Sequence, residues 1–482
     1  MPSSPARLTW AETRRKLAHM AAFWPALFLP WMSPLQALGV TFLLVLMNLF
    51  ILPRAARGLY RAEETGMGAL EIVLYPAALM ACVAAFGLAD AGGPTVSSAL
   101  PSAAAGAGKH AWYLPLGAAW FALAFSDACI GFACRIFPKG PALPWNPRKP
   151  ILAVCLGALA SLLPAWALAR LALPPLSAGD WSALVFFMLV AACAETAWFG
   201  VADNLVIPFF ISVLIPLVPN PLWMADGAAG GAVNGLSSLP WYWALAPIGF
   251  GASAYLGRML TLGGAVLGAM MTLILILADP MLFLFLAGFF ALGNLATRFG
   301  FARKQALRIA EARGGRRGAA EVFGAMGLAA WMTPLVHAAK SGAGTVGPHD
   351  RVTAALLVCV APLIAKTMDT VSSEMGKALG GRTVSLRSFR SVPPGSEGGV
   401  SLAGTLCGLA AAAAMAAVIL PLGWGRCADV LILSAIALLA NLFESYWGEW
   451  ASRRDMDQGP HTNVLMTLVA AVLAWLFYFG LY

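Results

Sequence analysis

The chain has 482 residues, of which 60% are hydrophobic and only 11% are charged, and its formal net charge at pH 7 is +9. This composition excludes an ordinary soluble globular protein, in which about a quarter of the residues are charged. The apolar residues recur in runs of roughly 20, the length that an α-helix needs to cross a membrane, and they lack the alternation of a membrane β-barrel. The composition therefore predicts an all-α polytopic membrane protein.

The apolar runs predict about 15 transmembrane helices in two helical-bundle domains. In chain order, the predicted helices cover 17–35, 36–53, 69–89, 111–133, 151–173, 182–201, 204–219, 241–257, 261–278, 281–297, 321–338, 352–366, 400–421, 429–447 and 463–481. A break rich in Gly, Pro, Asn and Ser separates the two domains. It gives a first domain at 1–220, a linker at 221–240 and a second domain at 241–482.

Basic residues cluster in particular loops, a pattern that the positive-inside rule explains better than nucleic-acid binding does. With the N-terminus in the cytoplasm, almost all of the clusters lie on the inner side, at 7–16, 54–61, 135–149, 298–317, 366–390 and 453–454. This membrane topology predicts a protein of the cytoplasmic (inner) membrane of a bacterium, with sites that face the cytoplasm. Membrane lipids are expected as partners and nucleic acid is not. For the basic loop at 298–317, contact with anionic lipid is a sufficient explanation.

The first half carries polar residues at the start of its first apolar run. Glu12, Arg15, Lys16 and His19 share one face of the predicted helix. They are explained either by a membrane-anchoring helix whose long side chains reach the interface or by an edge that contacts a phosphate or a nucleotide.

An acidic residue in the fourth run is followed by a basic loop. Asp127 and Arg135 share roughly one helical face, and the loop after them contains Asn146 and Lys149. An ionisable residue inside a membrane predicts a functional site. An acid that binds Mg²⁺ beside basic residues that hold phosphate oxygens suits a metal-bound polyphosphate.

A third polar group lies at the junction of two later runs. Glu195, Asp203 and Asn204 have apolar surroundings and almost no basic neighbour. They either cap and join the helices or supply oxygen ligands to a cation.

The motifs E-x-x-R-K-x-x-H, S-D with a following G-x-x-x-R, N-P-x-K and D-N-L-x-x-P resemble the phytol kinase branch of the dolichol and polyprenol kinase family, over roughly residues 8–219. The resemblance implies a membrane kinase that phosphorylates an isoprenoid alcohol, with CTP as the typical donor. Ser126 stands where the family has Gly, and Pro150 and Ala153 stand where it has Ser and Gly. The site residues that the resemblance implies are Glu12, Arg15, Lys16, His19, Asp127, Arg135, Asn146, Lys149, Glu195, Asp203 and Asn204.

The densest group of charges in the chain lies between Lys366 and Thr405, with an apolar run on either side. Lys366, Asp369, Ser373 and Lys377 are spaced for one face of a helix, with Ser372 and Gly376 beside it. Glu374 lies in the same stretch. Small residues next to these acids leave room for a substrate headgroup. The stretch is therefore the candidate site of the second half.

A glycine cluster follows this charged stretch and leads directly into the next apolar run. Arg382 precedes it, and Pro394, Gly395, Gly398 and Gly399 form it. Glycine allows the backbone to approach a phosphate closely, and amides at a helix N-terminus bind anions. The alternative is tight helix packing within the membrane. No P-loop motif is present.

The motifs D-x-x-x-S-E-x-G-K-x-x-G-G-R and V-P-P-G-x-x-G-G-V-S-x-x-G-T resemble the phytyl-phosphate kinase family, over about 241–482. The resemblance implies phosphorylation of an isoprenyl monophosphate to the diphosphate. It adds Thr405 and Glu444 to the site, the latter where the family commonly has Asp.

Together the two resemblances imply a two-step lipid kinase that converts an isoprenoid alcohol such as phytol to its monophosphate and then to its diphosphate. The expected catalytic acids are Asp127, Asp203, Asp369 and Glu374. The residues expected to hold substrate or nucleotide phosphates are Arg15, Lys16, His19, Arg135, Asn146, Lys149, Asn204, Lys377, Arg382, Pro394, Gly395, Gly398, Gly399 and Thr405. The expected Mg²⁺ ligands are Asp127, Glu195, Asp203, Asp369, Glu374 and Glu444.

Two alternatives to a kinase stay open on the sequence. A CTP-dependent lipid cytidylyltransferase would use the same donor-binding groups but release pyrophosphate. An ion-coupled transporter would use intramembrane acids, which are expected at mid-membrane in broken helices. Most acids here lie at the predicted cytoplasmic ends of the helices, which disfavours the transporter.

Overall fold

The computed structural model describes part of the chain: residues 13, 17, 28, 32, 34–48, 125, 127–143, 146–172, 209–210, 213, 240–341, 345–346, 349–452 and 459–480. Contacts between Cα atoms divide the chain into two compact units, Met1–Asn234 and Gly235–Tyr482. The described residues are mostly helical, as the composition predicts.

The first unit is described as three helices and a short hairpin. The packing of α2 against α3 brings Ile130 against Ala158, with Cys134 and Val154 around them. Strands β1 and β2 pair antiparallel within the predicted basic loop. The elements are α1 (Pro34–Leu46), α2 (Asp127–Ile136), β1 (Ala142–Leu143), β2 (Asn146–Pro150) and α3 (Ile151–Ala172).

The second unit is a helical bundle in which every apolar run predicted between 241 and 481 coincides with a helix or a pair of helices. Its helices are α4 (Leu245–Leu256), α5 (Leu262–Ala278), α6 (Leu282–Arg298), α7 (Phe301–Ala306), α8 (Ala319–Trp331), α9 (Thr333–Ser341), α10 (Arg351–Leu379), α11 (Leu402–Ala417), α12 (Cys427–Ser452) and α13 (Gly459–Trp475).

Two small sheets complete the second unit. The larger one has the strand order β6-β5-β7, with both pairs antiparallel. The hydroxyl of Ser385 donates a hydrogen bond of 2.6 Å to Glu449 Oε2 and so ties this sheet to α12. The strands are β3 (Thr345–Val346), β4 (His349–Asp350), β5 (Thr383–Ser385), β6 (Ser391–Val392) and β7 (Gly399–Ser401).

Helix α10 is the centre of the bundle and packs against α6, α8, α11, α12 and α13. Asp350 caps its N-terminus by accepting a hydrogen bond of 2.7 Å from the backbone N–H of Thr353. The helix has 29 residues and continues well past residue 366, where the predicted span ends. It can continue because its polar residues find partners inside the unit, and it stops at Gly380, which has a φ of +74°.

Helices α10 and α11 approach each other through small residues. A Cβ added to Gly408 would lie 2.7 Å from the Cβ of Ser372 and 2.8 Å from the carbonyl oxygen of Met368. Gly404, one turn earlier on α11, lies equally close to α10. This spacing of two glycines is typical of close helix contacts in membranes. Tight packing therefore explains these two glycines.

Four helices among the described residues are long and apolar enough to cross a membrane. They are Ala319–His337, Arg351–Leu379, Cys427–Ser452 and Thr462–Phe479. The other apolar helices of the second unit are shorter, so the predicted total of about 15 spans stays a prediction.

Polar contacts lie at two places in the second unit. At each place they join loops that the predicted membrane topology puts on the same side of the membrane. At the first, Lys366 contacts Asn463, and the backbone N–H of Thr261 donates to the carbonyl of Arg317. At the second, the contacts join loops predicted outside, and they are Lys340 with Asp279, His349 with Asp429 and Tyr478 with Asp429. The loops that contact one another are thus those that the predicted topology puts on the same side, whereas the orientation in the membrane stays a prediction.

Candidate functional site

A polar cavity of about 410 Å³ lies in the second unit, beside the C-terminal half of α10. It is lined by Thr383 of β5 and by five segments of the chain: 311–321, 366–377, 395–405, 441–445 and 462–463. It therefore contains the middle of the charged stretch and the glycine cluster. Its ionisable residues are Glu311, Arg316, Arg317, Glu321, Lys366, Asp369, Glu374, Lys377, Glu397 and Glu444.

Asp369 lies on the cavity wall and is paired with a lysine one turn earlier on α10. Lys366 Nζ contacts Asp369 Oδ2, and it also donates a hydrogen bond of 2.6 Å to Asn463 Oδ1 on α13. The two charged side chains are only 8% and 14% exposed. The bond between Lys366 and Asn463 joins α10 to α13, and the pair of Lys366 with Asp369 keeps the Asp369 carboxylate at the cavity.

Glu374 also lines the cavity, but both of its carboxylate oxygens are held by lysines. Lys304 Nζ lies 2.6 Å from Oε2, and Lys377 Nζ lies 3.0 Å from Oε1. The side chain of Glu374 is 1% exposed. In this arrangement Glu374 anchors two cations, and its expected roles as a catalytic acid and a metal ligand stay predictions.

Lys377 extends this chain of charges to the cavity mouth, where its Nζ lies 3.2 Å from Glu311 Oε1. Burial alone would raise the pKa of Glu311, but the Lys377 ammonium, through its charge and its hydrogen bond, and the charge of Arg317 outweigh burial and hold that pKa below its usual range. Glu311 is therefore ionised at neutral pH, and its side chain is 47% exposed.

The glycine cluster forms two successive tight turns on the cavity wall. The N–H of Ser396 donates to the carbonyl of Pro393 at 3.2 Å, and the N–H of Gly399 donates to the carbonyl of Ser396 at 3.0 Å. Gly395 and Gly398 have φ values of +83° and +72°, which glycine adopts without strain. The turns bring backbone to the cavity, but the Gly399 N–H is already used within the loop.

Gly398 is also required by its surroundings. A Cβ at this position would lie 2.6 Å from the carbonyl oxygen of Ser445 on α12. The glycine loop is therefore held directly against the helix that carries Glu444. Thr405 lines the same wall and donates a hydrogen bond of 3.0 Å to the carbonyl of Ser401.

Several residues of the cavity were not predicted as site residues. Asn441 is 4% exposed and lies one turn before Glu444, and its place as a polar residue in an apolar run was the available signal. Lys366 was predicted to share a helical face with Asp369 and Lys377 but not to be a site residue, and Asn463 was not predicted as one either. Lys304, which contacts Glu374 but does not line the cavity, gave no signal, because a buried lysine and a solvated one look the same within a basic loop.

The remaining predicted residues of the second half lie outside the cavity. Arg382 and Pro394 are exposed and do not line it. By contrast, the cavity brings together Asp369, Glu374, Lys377, Gly395, Gly398, Gly399, Thr405 and Glu444.

The predicted site of the first half lies largely outside the described residues. Asp127 begins α2 and Asn146 begins β2, and their side chains are not described. Arg135, in the last turn of α2, and Lys149, in β2, are partly buried. The residues outside the described part of the chain are Glu12, Arg15, Lys16, His19, Glu195, Asp203 and Asn204.

The carboxylates of the cavity decide whether it fits the predicted magnesium ion. Within the described ranges, no group of three or more His, Cys, Asp or Glu side chains is arranged to hold a metal ion. Mg²⁺ usually binds one or two carboxylates together with substrate phosphates and water. Asp369 and Glu444 line one cavity and fit that smaller requirement.

Comparison with known proteins gives one family match and three similar proteins. Residues 245–472 match the family described as integral membrane protein DUF92. The chain is 36% identical over 175 residues to "Protein VTE6, chloroplastic" of Arabidopsis thaliana, which is 36% of this chain and 50% of the relative. It is 34% identical over 166 residues to an uncharacterized membrane protein of Synechocystis sp., sll0875, which is 34% of this chain and 61% of the relative.

A third relative, an uncharacterized membrane protein of Methanocaldococcus jannaschii, MJ0933, is 26% identical over 193 residues, 40% of this chain and 74% of the relative. The chain spans only 50% and 61% of the first two relatives. No solved structure matches. The matches confirm the predicted integral membrane character, while the bacterial inner membrane stays a prediction.

Proposed function

We propose that the second unit transfers a phosphoryl group from CTP to an isoprenyl monophosphate, and that the first unit makes that monophosphate from an isoprenoid alcohol. The observation that carries the proposal is the polar cavity, where acidic and basic side chains from four segments of the chain meet inside a bundle of apolar helices. The motifs that resemble the phytyl-phosphate kinase family line this cavity. Its volume of about 410 Å³ is in the range of small-molecule sites.

The second step, transfer of a phosphoryl group to a monophosphate, requires that the two substrates are positioned and that their negative charge is neutralised. Phosphoryl transfer is catalysed almost entirely by these two effects. The acceptor is itself a phosphate monoester, whose second pKa is about 6, so it is mainly dianionic at pH 7. It therefore needs no general base, and the acids of the cavity are free to act by holding cations in place.

The residues divide accordingly in the proposed mechanism. Lys377, held by Glu374 and Glu311, supplies positive charge to the donor phosphates. Asp369 and Glu444 would hold a Mg²⁺ ion that arrives with the nucleotide, and the ion would neutralise charge on the transferring phosphate. The turns at Gly395 and Gly398 allow the backbone to approach the phosphates.

The test is product identification with the purified full chain in lipid nanodiscs, CTP, Mg²⁺ and farnesyl monophosphate. A kinase yields farnesyl diphosphate and CDP, whereas a cytidylyltransferase yields a CDP-lipid and pyrophosphate. Asp369→Asn should abolish the reaction. Asp279→Asn, at an acid on the other side of the bundle that pairs with Lys340, should leave it intact. Activity that survives in Asp369→Asn would contradict the assignment of the site.

The first step is tested separately with phytol or farnesol in place of the monophosphate. Asp127→Asn should stop formation of the monophosphate but leave conversion of added monophosphate to diphosphate unchanged. A variant that loses both steps equally would contradict the assignment of one step to each unit.

A further inference from the structure

We propose that Arg316 and Arg317 form the subsite for the headgroup of an amphiphilic phosphate monoester, whose hydrocarbon chain leaves the cavity beside Tyr255. The inference rests on the proposed function for the class of acceptor, but not for the binding itself. It gives a specific role to a loop whose charge is otherwise explained by contact with anionic lipid.

The first observation is where these arginines are held. The backbone of Arg317 is bonded on both sides to the turn between α4 and α5. Its N–H donates to the carbonyl of Met259, and its carbonyl accepts from the N–H of Thr261, each at 3.0 Å. Both arginines line the cavity. The loop is thus fixed where the cavity meets the ends of two apolar helices.

The second observation is that Arg316 has an unused donor. Its Nη2 donates to the carbonyl of Leu260 at 3.3 Å, and its Cζ lies 5.9 Å from the centre of the Tyr255 ring. Its Nε is buried and has no hydrogen-bond partner among the described residues. Buried donors are nearly always paired in native proteins. A phosphate oxygen is the acceptor that arginine binds best.

The third observation is that the other cations of the cavity are already paired. Lys366 is bonded to Asp369 and Asn463, and Lys377 is bonded to Glu374 and Glu311. Arg316 and Arg317 form no ion pair with any residue that the structure describes. Arg317 does act on Glu311 through its charge, but neither arginine would have to break an existing ion pair to bind a second anion beside the donor phosphates.

The fourth observation is the apolar surface next to these arginines. Tyr255 is 41% exposed, and its neighbours Leu256 and Leu262 are 77% and 64% exposed. Exposed apolar side chains on an integral membrane protein mark a surface for lipid. A partly buried cationic site beside an aromatic ring and an apolar surface matches a ligand with a phosphate head and a hydrocarbon tail.

The test is direct binding of farnesyl monophosphate to the full chain in nanodiscs, without nucleotide and without turnover. Arg316→Met should weaken this binding about 10- to 100-fold, the effect of losing a hydrogen bond to a charged group. CTP binding should change less than about twofold. Arg298→Met is the matched control, because Arg298 ends α6, is exposed and does not line the cavity. It should leave both affinities unchanged.

Tyr255→Ala and inorganic phosphate test the path of the tail. Farnesyl monophosphate should bind the wild type more tightly than inorganic phosphate, and Tyr255→Ala should reduce only the affinity for the lipid. Equal affinities for the two ligands, or an equal loss of both in Tyr255→Ala, would overturn the tail path. A headgroup affinity that Arg316→Met leaves unchanged, or a loss of CTP binding instead, would overturn the subsite.

Arg316→Lys guards against loss of folding, because it keeps a cation beside Leu260 and Tyr255. It should unfold at the wild-type temperature and still bind the lipid more weakly, since an ammonium cannot bind phosphate through two parallel hydrogen bonds. Binding that depends on Arg316 in a protein without kinase activity would refute the proposed function and leave the inference standing. Kinase activity in a protein whose lipid binding does not depend on Arg316 would refute the inference and leave the proposed function standing.

Discussion

Lys304 and Glu374 are 70 positions apart in the chain, yet Lys304 Nζ lies 2.6 Å from Glu374 Oε2 with each side chain 1% exposed. The ammonium also donates to the carbonyls of Ala296 at 3.1 Å and Thr297 at 2.7 Å. All three donors of the lysine are therefore satisfied. This contact fixes the basic loop to α10 and orients Glu374, which in turn holds Lys377 at the cavity.

Replacing Lys304 by Met should destabilise the protein strongly. It leaves the Glu374 carboxylate buried without its main partner, and breaking a buried pair in this way costs about 3–5 kcal/mol. The measurement is denaturant unfolding in detergent micelles. The double variant Lys304→Met/Glu374→Met should recover much of the loss. Lys340→Met is the control, because the side chain of Lys340 is 41% exposed in its pair with Asp279 and such a pair contributes at most about 1 kcal/mol. Equal losses in the two lysine variants would contradict this account.

Glu374 and Glu444 should differ in their effect on magnesium dependence. Glu444→Gln should raise the Mg²⁺ concentration needed for half-maximal activity at least about tenfold, since even partners of metal ligands contribute that much to affinity. Glu374→Gln should lower turnover without moving that concentration, because both oxygens of Glu374 already bind lysines. The measurement is a Mg²⁺ titration of diphosphate formation at saturating CTP. A shift in Glu374→Gln equal to that in Glu444→Gln would make Glu374 a metal ligand.

The sequence predicted the helices of the second unit well, because each is an apolar run bounded by polar or glycine-rich turns. It ended the membrane span at 366, where the charged residues begin, and the helical spacing of Lys366, Asp369 and Lys377 did not show that the same helix continues through them. The structure shows that partners from other segments allow the helix to continue to Leu379. A helix end that depends on distant partners has no local signal.

Residues of the candidate site that lie in local sequence motifs were predicted, whereas those that depend on contacts between distant segments were missed. Asp369, Lys377 and Gly398 lie within short motifs, so their grouping could be predicted. Lys304 and Asn441 come to the site from other helices, and only tertiary packing brings them there. The role of the glycine loop was also ambiguous, because a positive φ and a close approach to α12 are not visible in the sequence.

Glu311 gives a pH dependence to stability. Lys377 and Arg317 lower its pKa in the folded protein, so the stabilisation is complete above the ordinary Glu pKa and is lost as the pH falls through the lowered value. Glu311→Gln should therefore be less stable than the wild type at pH 7, by no more than about 1 kcal/mol for this partly exposed pair. The difference should vanish at the acidic end of a titration from pH 7 to pH 3, measured by thermal unfolding. A difference that stays constant over this range would exclude the ionised Glu311 as its cause.

Gly398→Ala should destabilise the protein more than the same change at Gly423. Both glycines have similar positive φ values, +72° and +69°, so alanine meets the same backbone strain of about 1–2 kcal/mol at each. Only Gly398 also lies against α12, where a Cβ would be 2.6 Å from the carbonyl of Ser445, whereas nothing lies within 4 Å at Gly423. The excess cost at Gly398 should be about 1–3 kcal/mol, as for overpacking in a core. Denaturant unfolding of the two variants measures this excess, and diphosphate formation should fall only in Gly398→Ala, because the loop that it displaces lines the cavity. Equal destabilisation by the two changes would show that the contact with α12 does not hold the loop.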